Sequence, residues 1–156
     1  MIETSIPGYG TIRLEHLVLD FNGTLACDGL MISGVKERLN ALSEQLDIHV
    51  LTADTFGKAA SQLAGVNCKL SVLPLEQQDL GKLEYVKKLG CDKTCCMGNG
   101  RNDRLMLRES ALGVAVILEE GAAMETLSSA NIVCTSILSA LDLLTHPLRL
   151  VATLRS

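Results

Sequence analysis

The chain has 156 residues, 47% hydrophobic and 21% charged, which is enough apolar material to close one core and argues against disorder. Its 14 Lys and Arg against 18 Asp and Glu leave a net charge of −4, with no basic footprint for nucleic acid, so a phosphate-bearing partner must be met by a metal ion or by local donors. No basic region followed by an apolar core marks a leader, and no apolar run reaches membrane-spanning length; the expectation is a cytoplasmic protein, one domain over 1–156, with no membrane or nucleic-acid partner.

Isoleucine-rich residues 2–6, the turn-forming Pro7-Gly8-Tyr9-Gly10 and the β-branched Thr11-Ile12 predict a short hairpin within 1–14. From His16 onward, short apolar runs alternate with segments of helical period, the pattern of βα units in a mostly parallel sheet. The predicted strands are Leu17 to Asp20, Ile48 to Thr52, Leu70 to Leu73, Thr94 to Gly98, Gly113 to Ile117 and Asn131 to Thr135. Val35, Leu39, Leu42 and Leu46 form one helical stripe. Others lie in Ala59 to Leu63, in Leu83 to Leu89 and between Ile137 and Leu154, where Pro147 is suited to open a last helix.

The six cysteines include no Cys-x-x-Cys. Adjacent Cys95 and Cys96 should project to opposite faces of a strand, and Cys68 and Cys134 have the apolar neighbours of buried, reduced thiols. His16, His49 and His146 are scattered along the chain, so no histidine site is expected.

Ligands of a parallel sheet sit beyond the carboxyl ends of its strands. The first predicted strand ends in Asp20-Phe21-Asn22-Gly23-Thr24-Leu25, the second in Leu51-Thr52-Ala53-Asp54, and the fourth in Gly98-Asn99-Gly100-Arg101-Asn102-Asp103, while Lys82 lies at a helix entry before Val86 and Leu89. Each piece has a plain structural use. Asn22-Gly23 suits a tight turn, Thr52, Asp54 and Asn102 suit helix caps, and most lysines are solvated. Together they suit phosphoryl transfer through an aspartyl phosphate. Asp20 is the nucleophile, Lys82 offers a point charge, the Thr52 hydroxyl a hydrogen bond, and Gly23 lets backbone amides approach the phosphate. Mg²⁺ prefers oxygen ligands and keeps several waters, so Asp20 and the Gly98 to Asp103 loop could hold it.

These residues resemble the haloacid dehalogenase (HAD) superfamily. Asp20 to Leu25 is similar to its first motif, Asp-x-Asp-Gly-Thr-Leu, and Thr52, Lys82 and Gly98 to Asp103 look like the second, third and fourth. Leu51 to Asp54 and Gly98 to Asp103 look most like the Thr-Gly-Asp and Gly-Asp-Gly-x-Asn-Asp signatures of P-type ATPase phosphorylation domains, here free-standing. The resemblance implies a three-layer Rossmann-like α/β fold and a Mg²⁺-dependent phosphatase. It implies catalytic Asp20, Asn22, Thr52 and Lys82; phosphate or substrate contacts from Gly23, Thr24, Ala53, Asp54 and Asn102; and metal ligands from Asp20, the main-chain carbonyl of Asn22, Asn99 and Asp103. About thirty residues separate Asp20 from Thr52, and about thirty more reach Lys82, so no cap domain fits. Capless members accept large phosphorylated substrates or borrow a lid from a neighbouring subunit, which makes a homo-oligomer an expectation. The N-terminal hairpin and Ala26 to Ile32 are the candidate local covers.

Two positions depart from the pattern. Asn22 replaces the acid that moves protons in family phosphatases, and Asn99 replaces the first acid of the fourth motif. An amide cannot transfer protons, so slow hydrolysis is expected, with a non-catalytic binding or regulatory protein as the alternative. A receiver-type signalling domain also uses an aspartate, a hydroxyl and a lysine on a parallel sheet. Receivers, however, place an acidic pair after the first strand and the acceptor later, an order absent here. The substrate is a phosphorylated compound of unspecified class.

Overall fold

Residues 1–54 and 57–156 are described by the computed structural model. Ile6, Ile12 and Leu14 turn to one side of an antiparallel ribbon made by β1 (Ile2–Ile6) and β2 (Gly10–Leu14), and all three are buried. Then β3 (His16–Asp20) leads through a miniature hairpin, β4 (Ala26–Cys27) and β5 (Leu30–Met31), into α1 (Val35–Leu42) and β6 (Asp47–Thr52). The chain continues with α2 (Ala59–Gln62), β7 (Lys69–Val72), α3 (Gln78–Leu89), a 3₁₀ turn at Cys91–Lys93, β8 (Thr94–Gly98) and a second 3₁₀ turn at Arg101–Asp103. It closes with α4 (Arg104–Glu109), β9 (Leu112–Val116), α5 (Met124–Ser129), β10 (Ile132–Cys134), α6 (Ile137–Thr145) and α7 (Pro147–Leu154).

Six strands form one parallel sheet in the order β10-β9-β8-β3-β6-β7. Because side chains alternate across a strand, each strand serves two cores. Leu17, Leu19, Ile48, Val50, Cys95, Met97, Val114 and Val116 belong to the larger one, with Val35, Leu39 and Leu42 of α1, Ile137, Ala140, Leu141 and Leu144 of α6, and the ribbon's apolar side. Val18, Leu51, Cys96 and Ala115 face the other way, onto Val86 of α3 and Met106 and Leu107 of α4. Cys95 and Cys96 do go to opposite faces, as reduced, buried thiols. Each fully buried leucine here contributes about 1.5–3 kcal/mol by leaving water.

The predicted strands are present, with ends moved by one residue at most positions. Helix α1 stops at Leu42, yet Leu46 is still buried, because the turns after the helix carry it back under β6. Residues 137–154 divide in two. His146, ahead of Pro147, is kept out of helical geometry (ψ 74°) by the proline ring, and α6 and α7 meet at 103°. Among the described residues, no single helix is long and apolar enough to cross a membrane.

The ribbon is not a cover for the strand ends. It joins the sheet at the amino end of β3, where the Glu15 N–H donates to the Lys93 carbonyl and the Asp47 N–H donates to that of Glu15, both at 2.9 Å, and β1 packs on α7. Among the described residues, only the β4–β5 hairpin stands between β3 and α1, so no cap is inserted there.

Candidate active site

Three of the strand ends named from sequence, those of β3, β6 and β8, lie next to one another in the sheet, so their loops share one edge. Asp20, Asn22, Thr52, Ala53, Asn99, Gly100 and Asn102 line an open cleft of about 210 Å³, together with two residues not anticipated, Gln78 and Glu120. Asp20 is 8% exposed at its floor. Its Oδ1 accepts from Lys82 Nζ at 2.8 Å, and Thr24 Oγ1 lies 3.2 Å from its Oδ2.

Lys82 is fully buried in α3 between two acids, reaching Asp20 Oδ1 at 2.8 Å and Asp103 Oδ1 at 2.7 Å. Burial opposes its charge, but the two carboxylates outweigh burial and hold the ammonium protonated well above the ordinary lysine range. For Asp20, burial comes first and the charge of Asp103 adds to it; Lys82 and Thr24 pull the other way, and the carboxyl is pushed up from 3.8 to about 6.

Asp103 does not reach the cleft. It is fully buried, with Oδ1 on Lys82 and Oδ2 accepting from the backbone N–H groups of Asn99 at 3.0 Å and Gly100 at 2.9 Å. The close packing of this carboxylate on Gly98 leaves no room for a Cβ at that glycine. Asp103, expected as a metal ligand, has both oxygens engaged in this structure, where it braces Lys82 and shapes the loop. Asp54, expected to contact phosphate or substrate, is likewise engaged within the fold. Its Oδ1 accepts from the Ala59 N–H at 3.0 Å, at the start of α2, and its N–H donates to Thr52 Oγ1 at 2.9 Å, so it orients Thr52 rather than facing the cleft. Thr24 is fully buried and lies 3.2 Å from Asn99 Oδ1 as well as from Asp20. With one hydroxyl proton between two acceptors, it links them rather than a substrate. Asn102 holds Gln78 Oε1 at 3.3 Å through its amide nitrogen.

Gly23 has φ +81°, and a Cβ there would collide with Glu120 Oε2 and with the Asn99 amide. Only glycine suits both the backbone and the space. Beside it, Asn22 Oδ1 is buried without a hydrogen-bond partner among the described residues, an arrangement that asks for a cation or donor. Asp20, Asn22, Asn99 and Glu120 all line this cleft and carry hard oxygen donors, the kind that fits Mg²⁺. Among the described residues, no three His, Cys, Asp or Glu side chains gather at ligating distance, so amide and main-chain oxygens must complete such a site. A signal for Glu120 was present in the sequence: Glu119-Glu120-Gly121 follows the strand ending at Val116, at the same sheet edge as the other loops.

Two of the histidines scattered along the sequence meet in the fold. His16 and His49 lie near the amino end of the sheet, with His49 Nε2 3.3 Å from His16 Nδ1 and His49 Nδ1 2.9 Å from the Tyr85 hydroxyl. They form a partly buried polar cluster, with His49 its buried member, apart from the residues that line the cleft.

No family model matches the chain. Among solved structures, the cobalt-bound deoxy-D-mannose-octulosonate 8-phosphate phosphatase of Haemophilus influenzae superposes with a TM-score of 0.72 at 13% identity, over 92% of this chain and 94% of that one. The 3-deoxy-D-manno-octulosonate 8-phosphate phosphatase of Moraxella catarrhalis, in complex with magnesium, phosphate and KDO, gives 0.70 at 14% identity over 85% and 86%. A phosphoserine phosphatase in apo form gives 0.65 at 12% over 86% and 99%. At such identities the likeness concerns the fold. In sequence, the uncharacterized protein MJ0073 of Methanocaldococcus jannaschii is 46% identical over 74 residues, 47% of this chain and 80% of that protein. From the same organism, the uncharacterized protein MJ0072 is 54% identical over 39 residues, 25% of this chain and 89% of its own length. The chain thus belongs to the family of MJ0073, built on the fold of the haloacid dehalogenase superfamily.

Proposed function

We propose that this chain is a Mg²⁺-dependent phosphohydrolase in which Asp20 attacks phosphorus and becomes an aspartyl phosphate. The observation that carries the reading is the Asp20 carboxylate on the cleft floor, held by Lys82, which is itself held by Asp103. The buried ammonium offsets the repulsion between the carboxylate and a phosphate dianion, and its two acid partners fix it in place before substrate arrives. Asp54 orients the Thr52 hydroxyl beside the cleft, where it can meet a phosphoryl oxygen. As a carboxylate oxygen bonds to phosphorus, the ester oxygen leaves and takes a proton from water, since Asn22 has none to give. Asp20, the carbonyl of Asn22 and Asn99 would hold Mg²⁺, which when bound supplies positive charge against the phosphoryl oxygens.

Support for the reading comes from the fold shared with phosphatases, one of them solved with magnesium and phosphate, and from the P-type ATPase-like pattern of Leu51 to Asp54 and Gly98 to Asp103. Asn22 also favours a second reading, a regulatory or binding protein that takes up phosphate without turnover. Acetyl phosphate with Mg²⁺, followed by intact-mass analysis, tests both. A mass gain of one phosphoryl group that vanishes in Asp20→Asn is expected; multiple turnovers support the phosphatase and a stable stoichiometric adduct the regulator. No adduct and no phosphate release under these conditions would sink the proposal.

A further inference from the structure

Asn99 stands where the first acid of the fourth motif would be expected to bring negative charge, and its amide is engaged at both ends. Oδ1 lies 3.2 Å from Thr24 Oγ1 on the Asp20 side, while Nδ2 donates to the Gly121 carbonyl at 3.0 Å. A carbonyl only accepts, so a carboxylate at 99 could not make the second bond. The Asn99 carbonyl also accepts from the Ala123 N–H at 2.9 Å, which ties the loop after β9 to the end of β8 a second time. Between these attachments, the Gly121 N–H closes a turn onto the Leu118 carbonyl at 3.0 Å, and Gly121 adopts φ +71°. That turn carries Glu120 to the wall of the cleft, where its Oε2 and the Asn99 amide both crowd the space above the Gly23 α-carbon.

We infer that Glu120 is the displaced acid of the metal site, supplying to Mg²⁺ the negative charge that Asn99 lacks, and that the Asn99 amide is a positioning group which docks the Glu120 turn. The inference deepens the Mg²⁺-dependent reading and rests on it. Several observations converge. Asp20 and Glu120 are the two acids that line the cleft, Glu120 Oε2 and the Asn99 amide share the space that a side chain at Gly23 would fill, and among the described residues the buried Asn22 Oδ1, of the same cleft, is without a hydrogen-bond partner. A divalent cation held by Asp20 alone among the acids would be weakly bound; a second carboxylate restores the balance of charge. The amide at 99 thus exchanges a charge on one residue for the attachment of a loop that brings it from another.

The test is isothermal titration of the full-length protein with MgCl₂, without substrate, for wild type, Glu120→Gln, Glu119→Gln and the double variant Asn99→Asp/Glu120→Gln. Glu120→Gln should weaken Mg²⁺ by about tenfold or more, Glu119→Gln should match wild type, and Asn99→Asp in the Glu120→Gln background should recover affinity by returning a carboxylate to the site. Binding by Glu120→Gln equal to wild type, or an equal loss in Glu119→Gln, overturns the assignment of Glu120 while the Mg²⁺ reading stands. No recovery in the double variant overturns the exchange of charge between positions 99 and 120. Wild type that binds no Mg²⁺ overturns this inference and the metal-dependent reading together.

Discussion

Lys82 Nζ lies 2.8 Å from Asp20 Oδ1 with its own side chain 1% exposed, so the proposed nucleophile and its counter-charge form one buried unit. Asp103 is the third member, at 2.7 Å. Lys82→Met removes the cation and leaves two carboxylates facing each other out of water. A loss of about 3–5 kcal/mol in folding free energy is expected, measured by urea unfolding. The double variant Lys82→Met/Asp103→Asn, which also removes one acid, should lose less. Equal losses in the two variants would contradict the charge-triad account.

Gly23 is the point where the Asn99 amide and Glu120 draw together. Gly23→Ala places a methyl group against Glu120 and the Asn99 amide, at a backbone angle that L-residues avoid. About 1–3 kcal/mol of stability should be lost, and Mg²⁺ affinity should fall more steeply than the melting temperature suggests, because the displaced groups are the proposed ligands. Calorimetric titration alongside thermal melting checks this, and unchanged Mg²⁺ binding would remove Gly23 from the site.

Asn22→Asp returns a proton carrier to the cleft wall. If the aspartyl phosphate forms and persists for want of a general base, its hydrolysis should accelerate by about 10²–10⁴-fold, while the rate of its formation changes less. Rapid-quench measurement of adduct decay separates the two steps. A decay rate unmoved by the new acid would place the slow step elsewhere.

His49 gives the fold a dependence on pH. Burial first, then the neighbouring His16, lowers its affinity for a proton below the ordinary value of 6.5; Asp47 opposes this, Lys69 adds to it, and the Tyr85 hydroxyl bonds its Nδ1. Because the folded-state value is the lower one, the unfolded chain binds the proton more readily, and stability falls as pH drops below about 6.5. The loss levels off once pH is beneath the folded-state value. Over about pH 7 to pH 5 the raised Asp20 carboxyl works the other way, stabilising the fold as it takes a proton, so the effect of His49 is read as a difference: on acidification the unfolding free energy of wild type should fall relative to that of His49→Gln. Parallel slopes would assign the pH dependence to other groups.

Much of the fold was legible because its signals are local. A run such as Thr94 to Gly98 is apolar throughout, as a strand buried on both faces must be, and the stripe Val35, Leu39, Leu42 repeats with the helical period. Pro147 divides the last helical stretch wherever it is placed. The site was legible for the same reason: polar residues that end apolar strands are conspicuous, and Asp20, Thr52 and Asn99 are all of that kind. The ribbon over 1–14 was legible as a hairpin but not in its location, which depends on α7 packing against it from the far end of the chain.

By itself, the order of residues determined which segments are strands and helices and which polar groups stand at strand ends, since both follow from side-chain period and chain direction. Tertiary structure alone decided what those groups do. Whether an acid faces solvent, a lysine or a backbone N–H depends on neighbours tens of residues away. Asp103 was withdrawn from the cleft by Lys82 and two amides, Asp54 was taken by the start of α2, and Glu120 was carried in by a turn anchored to Asn99. A hydrogen bond commits a polar atom to one partner, and the identity of that partner is a property of the packed chain.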